Sequence, residues 1–125
     1  AGIIVLRSFN NQWKILGLLT DNKYDITKGH VEPGDQHFET AIRETYEEAD
    51  IKNLDFIFGY DYCTIDYLRV YVATTADEPT IKPNEKGVRE HESCSWLTFE
   101  QMENQTYDYL QPAILWVKQK IKNEE

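Results

Sequence analysis

The pattern of hydrophobic and polar positions opens with two apolar runs. The stretches "GIIVLR" and "QWKILGLLT" are rich in aliphatic residues and are separated by the polar "SFNN". Short apolar runs bounded by turn residues are typical of buried strands. The pattern therefore predicts that the chain begins with two strands joined by a turn.

The second half of the chain predicts further strands and two closing helices. "LDFIFGY" and "YLRVYVATT" are rich in aromatic and β-branched residues, which favour strands. "DEPTIKPNEKG" contains two prolines and a glycine and predicts a loop, and "ESCSWL" after it predicts a short strand. One helix is expected over "TFEQMEN" with Thr98 as its cap. The other is expected to begin near Asp108 and to accept Pro112 in its first turn.

The central segment "PGDQHFETAIRETYEEAD" has a helical pattern. It predicts a turn at Pro33 and Gly34, a cap at Asp35 and a helix that continues to about Ala49. Helical periodicity places one stripe of residues on the side that packs against the sheet. These residues are Phe38, Ala41, Ile42, Thr45 and Ala49.

Three carboxylates, those of Glu44, Glu47 and Glu48, occupy a neighbouring arc of the same helix. Like charges at this spacing repel by roughly 0.2–0.5 kcal/mol per pair. A hard divalent cation such as Mg²⁺ or Mn²⁺ prefers oxygen ligands and would remove this repulsion. The alternative is a solvated acidic face that is balanced by Arg43 and by lysines elsewhere.

Length and charge narrow the classes of function. A chain of 125 residues is expected to form one domain, and its formal charge of −9 makes non-specific nucleic-acid binding unlikely. The two cysteines form no CxxC pair, so we expect no zinc site and a cytoplasmic location. The apolar run "GIIVL" ends at Arg7 and is too short to span a membrane, so no membrane partner is expected.

The segment 29–51 resembles the NUDIX box, G-x(5)-E-x(7)-R-E-U-x-E-E-x-G-U, where U is a bulky aliphatic residue. The matching residues are Gly29, Arg43, Glu44, Glu47, Glu48 and Ile51. Asp35 replaces Glu, Thr45 replaces an aliphatic residue and Asp50 replaces Gly. Asp tolerates the left-handed conformation of a helix C-cap better than most residues, so Asp50 is a mild change.

The resemblance implies both a fold and a metal site. The fold would be a NUDIX-type α/β/α sandwich, with a mixed β-sheet between the box helix and the C-terminal helix, in a single domain over residues 1–125. Glu44, Glu47 and Glu48 would be the ligands of Mg²⁺ or Mn²⁺, and the carbonyl of Gly29 would be a further ligand. Arg43 would orient the carboxylates.

The flanking segments resemble the animal-type asymmetrical diadenosine tetraphosphate hydrolases. This resemblance rests on "KGHVEPGD", "ETAIRETYEEADI" and "REHESCSWL". It implies cleavage of diadenosine tetraphosphate to ATP and AMP. Glu90 would be the carboxylate outside the box that helps to bind metal or activates water, with Glu92 as the alternative residue.

Other functions stay open beside this one. A related NUDIX enzyme would act on capped or triphosphorylated RNA 5′ ends or on nucleotide sugars. A protein of another class would bind nucleotides without cleaving them. The second alternative is disfavoured because every expected metal carboxylate is present in the sequence.

Four residues are expected to bind the nucleotide, by the same resemblance. Lys28 would reach a phosphate unless it is simply an exposed lysine. His30 would either contact phosphate or pack the turn. Tyr71 and Tyr107 would stack on adenine or serve as tyrosines at the edge of the core. His91 has a weaker case than His30 for a role in the site.

Overall fold

A mixed β-sheet of seven strands forms the centre of the fold in the computed structural model, which describes residues 1–125. The strands are β1 (Gly2–Phe9), β2 (Gln12–Thr20), β3 (Lys23–Asp25), β4 (Thr27–Lys28), β5 (Cys63–Ile65), β6 (Leu68–Thr74) and β7 (Ser93–Leu97). The helices are α1 (His37–Ala49), α2 (Phe99–Gln105) and α3 (Gln111–Asn123). None of these helices is long and apolar enough to cross a membrane.

The strands follow the order β3-β2-β1-β6-β5, with β4 paired to β1 and β7 paired to β2. The central pair β1 and β6 is parallel, whereas the other pairs are antiparallel. Asn10 and Asn11 connect β1 to β2 with φ values of 50° and 67°. Asparagine tolerates this left-handed conformation, and the predicted turn between the first two strands is confirmed.

Helices cover both faces of the sheet. Ala41 and Ala49 of α1 pack with Ile3 and Val5 on one face. The other face is covered by α2 and α3, whose buried side chains include Met102, Ala113, Ile114 and Val117. The expected α/β/α sandwich with a mixed sheet is confirmed.

The segment "LDFIFGY" is not a strand, which corrects the sequence prediction. Residues 54–60 make only an isolated bridge, between Asp55 and Thr74. Phe56 packs in the cluster under α1, but Phe58 packs in the cluster on the opposite face of the sheet. Residues two apart on a strand point to the same face, so this segment cannot be a regular strand. It instead wraps around the sheet edge.

Three of the helix ends predicted from the sequence are confirmed, and one is wrong. Thr98 caps α2 in a reciprocal capping box with Gln101. Asp50 ends α1 in the left-handed conformation, with φ 57°, and α3 follows a 3₁₀ turn at Asp108–Leu110. The predicted cap at Asp35 is wrong, because Gln36 is the N-cap and makes no side-chain capping bond.

Candidate active site

The threonine in the box helix has a polar partner in β4. Thr45 Oγ1 donates to the carbonyl of Ala41 at 2.8 Å and lies 2.8 Å from Thr27 Oγ1. Both threonines are buried. The hydroxyl that replaces an aliphatic side chain at Thr45 is therefore satisfied, and the bond fixes β4 against α1.

Gly29, which follows β4, lies directly against the side chain of Glu44. A Cβ at this position would overlap the Glu44 carboxylate carbon and one of its oxygens. The backbone of Gly29 is not in the left-handed region, so this close approach is the reason for glycine here. The carbonyl of Gly29 accepts a hydrogen bond from the backbone nitrogen of Ala1 at 2.8 Å. A carbonyl oxygen has a second lone pair, which could serve a metal.

Glu48 is the most firmly held of the three box carboxylates. Its Oε1 accepts a hydrogen bond from the backbone nitrogen of Lys28 at 2.8 Å, and its Oε2 lies 3.1 Å from Nε2 of His91. The Glu48 side chain is 11% exposed. Each carboxylate oxygen keeps a free lone pair for a further ligand.

Arg43 lies among carboxylates on the outer side of α1. Its Nη1 donates to Asp35 Oδ2 at 3.3 Å, and longer ion pairs reach Glu44 at 3.8 Å and Glu47 at 3.7 Å. The hydrogen bond to Asp35 is the main contribution that raises the pKa of Arg43. The arrangement is suited to orienting these carboxylates, and Asp35 supports Arg43 although it is one methylene shorter than glutamate.

The loop before β7 brings a fourth carboxylate to the helix. Thr80 and Lys82 donate backbone hydrogen bonds to the carbonyls of Ala49 and Glu48, at 2.9 and 3.3 Å. Ligand atoms of Glu48, Glu90 and His91 consequently lie within 4.8 Å of one another. The alternative residue Glu92 is directed elsewhere, because its Oε2 accepts from the backbone nitrogen of Asp21 at 3.1 Å.

A cavity of about 990 Å³ opens at this carboxylate cluster. The predicted site residues that line it are Lys28, Gly29, His30, Arg43, Glu44, Glu48 and Glu90. Glu47 does not line the cavity, and its side chain is 52% exposed beside Arg43. The lining also includes residues that were not predicted for the site, among them Tyr67, His91 and Tyr109.

The two tyrosines expected to stack on adenine lie outside the cavity lining. Tyr71 is 5% exposed and packs with Phe38 and Tyr62 in the core beneath α1. Tyr107 packs against the core on the opposite face. Their part in nucleotide binding stays a prediction. Tyr109, two residues further along the chain, is 41% exposed and reaches the cavity.

Lys28 is the cation at the cavity wall nearest the box helix. Its ammonium pairs with Asp25 Oδ2 at 2.8 Å, and its side chain is 31% exposed. Burial lowers the pKa of Lys28, but the hydrogen bond and charge of Asp25 lead the opposing contributions, which together raise the pKa above its usual value. Lys28 therefore carries its charge throughout the neutral pH range.

The carboxylate oxygens at the cavity are suitable ligands for a hard divalent cation. Glu44, Glu48 and Glu90 supply carboxylate oxygens, and such ligands are preferred by Mg²⁺ and Mn²⁺. Burial is the main cause that raises the pKa of Glu44, and the charges of Glu47, Glu48 and Glu90 raise it further. The metal-free cluster thus carries unfavourable repulsion that a cation would remove.

Burial of the Glu44 charge, together with this repulsion, predicts a pH-dependent gain in stability for Glu44→Gln without metal. A raised pKa in the folded state means that stability is lost as pH rises from the ordinary value of 4.5 through the raised value. Above that pH range the variant should be more stable than the wild type by about 0.5–1 kcal/mol, because the substitution removes two like-charge pairs along the helix. Below pH 4.5 the two proteins should be equal.

Thermal unfolding in EDTA between pH 4 and pH 8 measures this gain. The matched control is Glu39→Gln, which removes the same charge from an exposed position of α1 outside the cavity lining. A Glu44→Gln gain in stability that is the same at every pH, or that Glu39→Gln reproduces, would contradict the burial and repulsion assigned to the Glu44 charge.

The sequence model of the NUDIX domain family matches residues 2–117. This match spans most of the chain and includes the box helix, β4 and the loop that carries Glu90. The chain therefore belongs to the NUDIX domain family.

One curated relative and two solved structures resemble the chain. The relative is the asymmetrical bis(5′-nucleosyl)-tetraphosphatase of Sus scrofa, 34% identical over 76 residues, which are 56% of this chain and 52% of the relative. The chain thus matches about half the length of that protein. A binary complex of a C. elegans Ap4A hydrolase has a TM-score of 0.79 and 20% identity over 98% of this chain and 97% of its own.

The second structure is a NUDIX hydrolase of Listeria monocytogenes. Its TM-score is 0.75 at 15% identity, over 98% of this chain and 92% of its own. At such identities the likeness of both structures concerns the fold, and it agrees with the sandwich described above.

Proposed function

We propose that the protein is a metal-dependent pyrophosphohydrolase that cleaves diadenosine tetraphosphate to ATP and AMP. The observation that carries the proposal is the convergence of Glu44, Glu48 and Glu90 on a cavity that Lys28 also lines. The carboxylates can bind a divalent cation, and the lysine beside them can bind a polyphosphate. The name of the relative from Sus scrofa supports the choice of substrate.

Each side chain has a part in this proposal. Glu44, Glu48 and Glu90, with the Gly29 carbonyl, would hold Mg²⁺ or Mn²⁺. Glu47, which lies outside the cavity lining, would join them only through a change of its side-chain rotamer. When bound, such a cation neutralises phosphate charge and lowers the pKa of a coordinated water. Arg43 keeps Glu44 and Glu47 oriented.

The remaining contacts would bind the polyphosphate and start the reaction. Lys28 binds phosphate oxygens with its ammonium, and the exposed His30 can add a contact. Glu90 is held only by Asn84 Nδ2 at 3.3 Å, so its carboxylate can reach the attacking water and accept its proton. The oxygen of that water forms the new P–O bond, and the anhydride P–O bond between the AMP and ATP portions breaks.

The size and lining of the cavity favour a dinucleotide. Ligand pockets usually measure roughly 300–1,000 Å³, and the volume here is about 990 Å³, near the upper end. Tyr67 and Tyr109 offer exposed rings along it. Aromatic rings stack on nucleic-acid bases with roughly 1–3 kcal/mol per base, so these two residues are better placed for adenine than Tyr71 and Tyr107.

A substrate panel tests the proposal. With Mg²⁺, kcat/KM for diadenosine tetraphosphate should exceed that for triphosphorylated RNA by at least about tenfold, or ~1.4 kcal/mol. The reason is that a net charge of −9 disfavours a long polyanion but permits a compact dinucleotide at Lys28 and the metal. A nucleotide sugar, a capped RNA or a triphosphorylated RNA as the best substrate would contradict the diadenosine assignment.

A further inference from the structure

His91 connects the strand β2 to the metal carboxylates. Its Nδ1 lies 2.9 Å from Thr20 Oγ1, and its Nε2 lies 3.1 Å from Glu48 Oε2. The side chains of His91 and Glu48 are only 12% and 11% exposed. Thr20 is the last residue of β2, so the imidazole is held from a rigid element of the sheet.

The direction of the hydrogen bonds follows from the partners. An ionised carboxylate can only accept, so Nε2 of His91 carries the proton and donates to Glu48. The hydroxyl of Thr20 donates to the backbone carbonyl of Glu90 at 3.3 Å and lies 2.9 Å from Nδ1 of the same imidazole, so it holds the ring from the side opposite Glu48. Thr20 thus holds the ring in the position from which Nε2 donates to Glu48.

We infer that His91 is a positioning residue, which holds the Glu48 carboxylate in the orientation that binds the metal of the proposed function. The backbone of Lys28 fixes one oxygen of Glu48, and His91 fixes the other, so the carboxylate cannot rotate. Glu44 and Glu47 have only the longer ion pairs to Arg43, at 3.8 and 3.7 Å. Glu48 is therefore the ligand oriented before the metal arrives, and His91 supplies half of that orientation.

Mn²⁺ binding to the purified protein tests this inference without any substrate. The free Mn²⁺ signal in electron paramagnetic resonance gives the dissociation constant directly. His91→Leu should weaken Mn²⁺ binding by about 10–100-fold, as is typical when a residue that orients a metal ligand is lost. The matched control is His37→Leu, which removes another cavity-lining histidine that makes no bond to Glu48 and should leave Mn²⁺ affinity unchanged.

His91→Gln separates positioning from direct ligation. The amide nitrogen of glutamine can occupy the place of Nε2 and still donate to Glu48, so this variant should bind Mn²⁺ within about threefold of the wild type. Because the amide oxygen of glutamine could itself bind Mn²⁺, electron spin echo spectra of the wild type complete the test: a ligating histidine would show coupling of a directly bound nitrogen to Mn²⁺, and a positioning histidine would not. Equal losses in His91→Gln and His91→Leu would overturn the positioning role.

Thr20→Val provides a second variant that removes no ring from the site. It should weaken Mn²⁺ binding by about threefold, the effect of one hydrogen bond, and Thr20→Ser should restore the affinity. Because Thr20 acts through the imidazole, Thr20→Val should have no further effect when His91→Leu is already present. Additive effects of the two substitutions would overturn the connection.

The outcomes also separate this inference from the function on which it rests. If the wild type binds Mn²⁺ and His91→Leu binds it equally well while near-ultraviolet circular dichroism shows both to be folded, the inference is wrong and the proposed function stands. If the wild type binds no Mn²⁺, the metal-dependent function and the inference both fail.

Discussion

Replacing Glu48 with Gln is expected to lower kcat for diadenosine tetraphosphate by about a thousandfold, or ~4 kcal/mol in activation free energy. Glu48 lines the cavity with both oxygens held by hydrogen bonds, so its orientation is already suited to a metal. Glutamine keeps one oxygen that can accept from the backbone of Lys28, but it loses the negative charge. The fold should therefore survive while metal binding is lost.

Steady-state kinetics at saturating Mg²⁺ measure this loss, and thermal unfolding checks the fold. Glu39→Gln is the matched control, because it removes the same charge from α1 at an exposed residue outside the cavity lining. Glu39→Gln should keep wild-type kcat. Near-wild-type turnover of Glu48→Gln would refute the assignment of the metal site.

Replacing Gly29 with Ala is expected to damage both stability and activity. The added Cβ would occupy the space of the Glu44 carboxylate, so that side chain must leave its place beside β4. Because the atoms that the Cβ meets belong to a flexible side chain, the loss of unfolding free energy should lie at the low end of the about 1–3 kcal/mol that overpacking typically costs. The displacement of a metal ligand should lower kcat by about a hundredfold, because outer contacts that position ligands are already worth 10–100-fold.

A second substitution distinguishes the clash from a general effect of alanine. Gly29→Ala combined with Glu44→Ala removes the carboxylate that the Cβ would meet, so chemical denaturation should show recovered stability. The double variant should stay inactive because the ligand is absent. Wild-type kcat in Gly29→Ala, or no recovery of stability in the double variant, would contradict the close packing of Gly29 and Glu44.

The central strands could be predicted because both of their faces are buried. Ile3 and Val5 of β1 pack on the α1 side, and Ile4 and Leu6 pack on the other side. Such a strand has a continuous apolar run, which the sequence displays directly. The short strands β3 and β4 have no such run. Their pairing depends on β2 and β1, which the local pattern cannot reveal.

The strand that the sequence predicts at "LDFIFGY" does not form, and the packing of the segment explains why. Its composition favours a strand, but its aromatic rings pack with other rings on opposite faces of the sheet. Phe56 stacks on Tyr60 at 5.4 Å, and Phe58 meets Trp13 edge-on at 5.7 Å. Gly59, with φ 104°, allows the backbone to turn between these contacts. Tertiary packing here overrides the local preference.

The candidate site likewise combines residues that the sequence could place together with residues that it could not. Arg43, Glu44 and Glu48 belong to one helix, so their spacing alone places them together. The residues added by loops depend on contacts between distant segments. The choice of Glu90 over Glu92 at the cavity follows from the docking of the loop on α1 and from the bond between Glu92 and Asp21.

His91 and Tyr109 could not be singled out from the sequence for the same reason. The partners of His91 are 71 and 43 residues away, in β2 and α1. Tyr109 differs from Tyr107 only by two positions, and the 3₁₀ turn at Asp108–Leu110 determines which ring reaches the cavity. The adjacency of His91 to the predicted Glu90 was the one available signal.

Chromatographic identification of the products from diadenosine tetraphosphate tests the central claim most directly. With Mg²⁺ the purified protein should release ATP and AMP in equal amounts, without ADP. EDTA should abolish both products, and Glu48→Gln should lower their rate of release about a thousandfold. Formation of two ADP molecules would contradict asymmetrical cleavage. The same ATP and AMP yield in EDTA would contradict a reaction that depends on metal at the Glu44, Glu48 and Glu90 cluster.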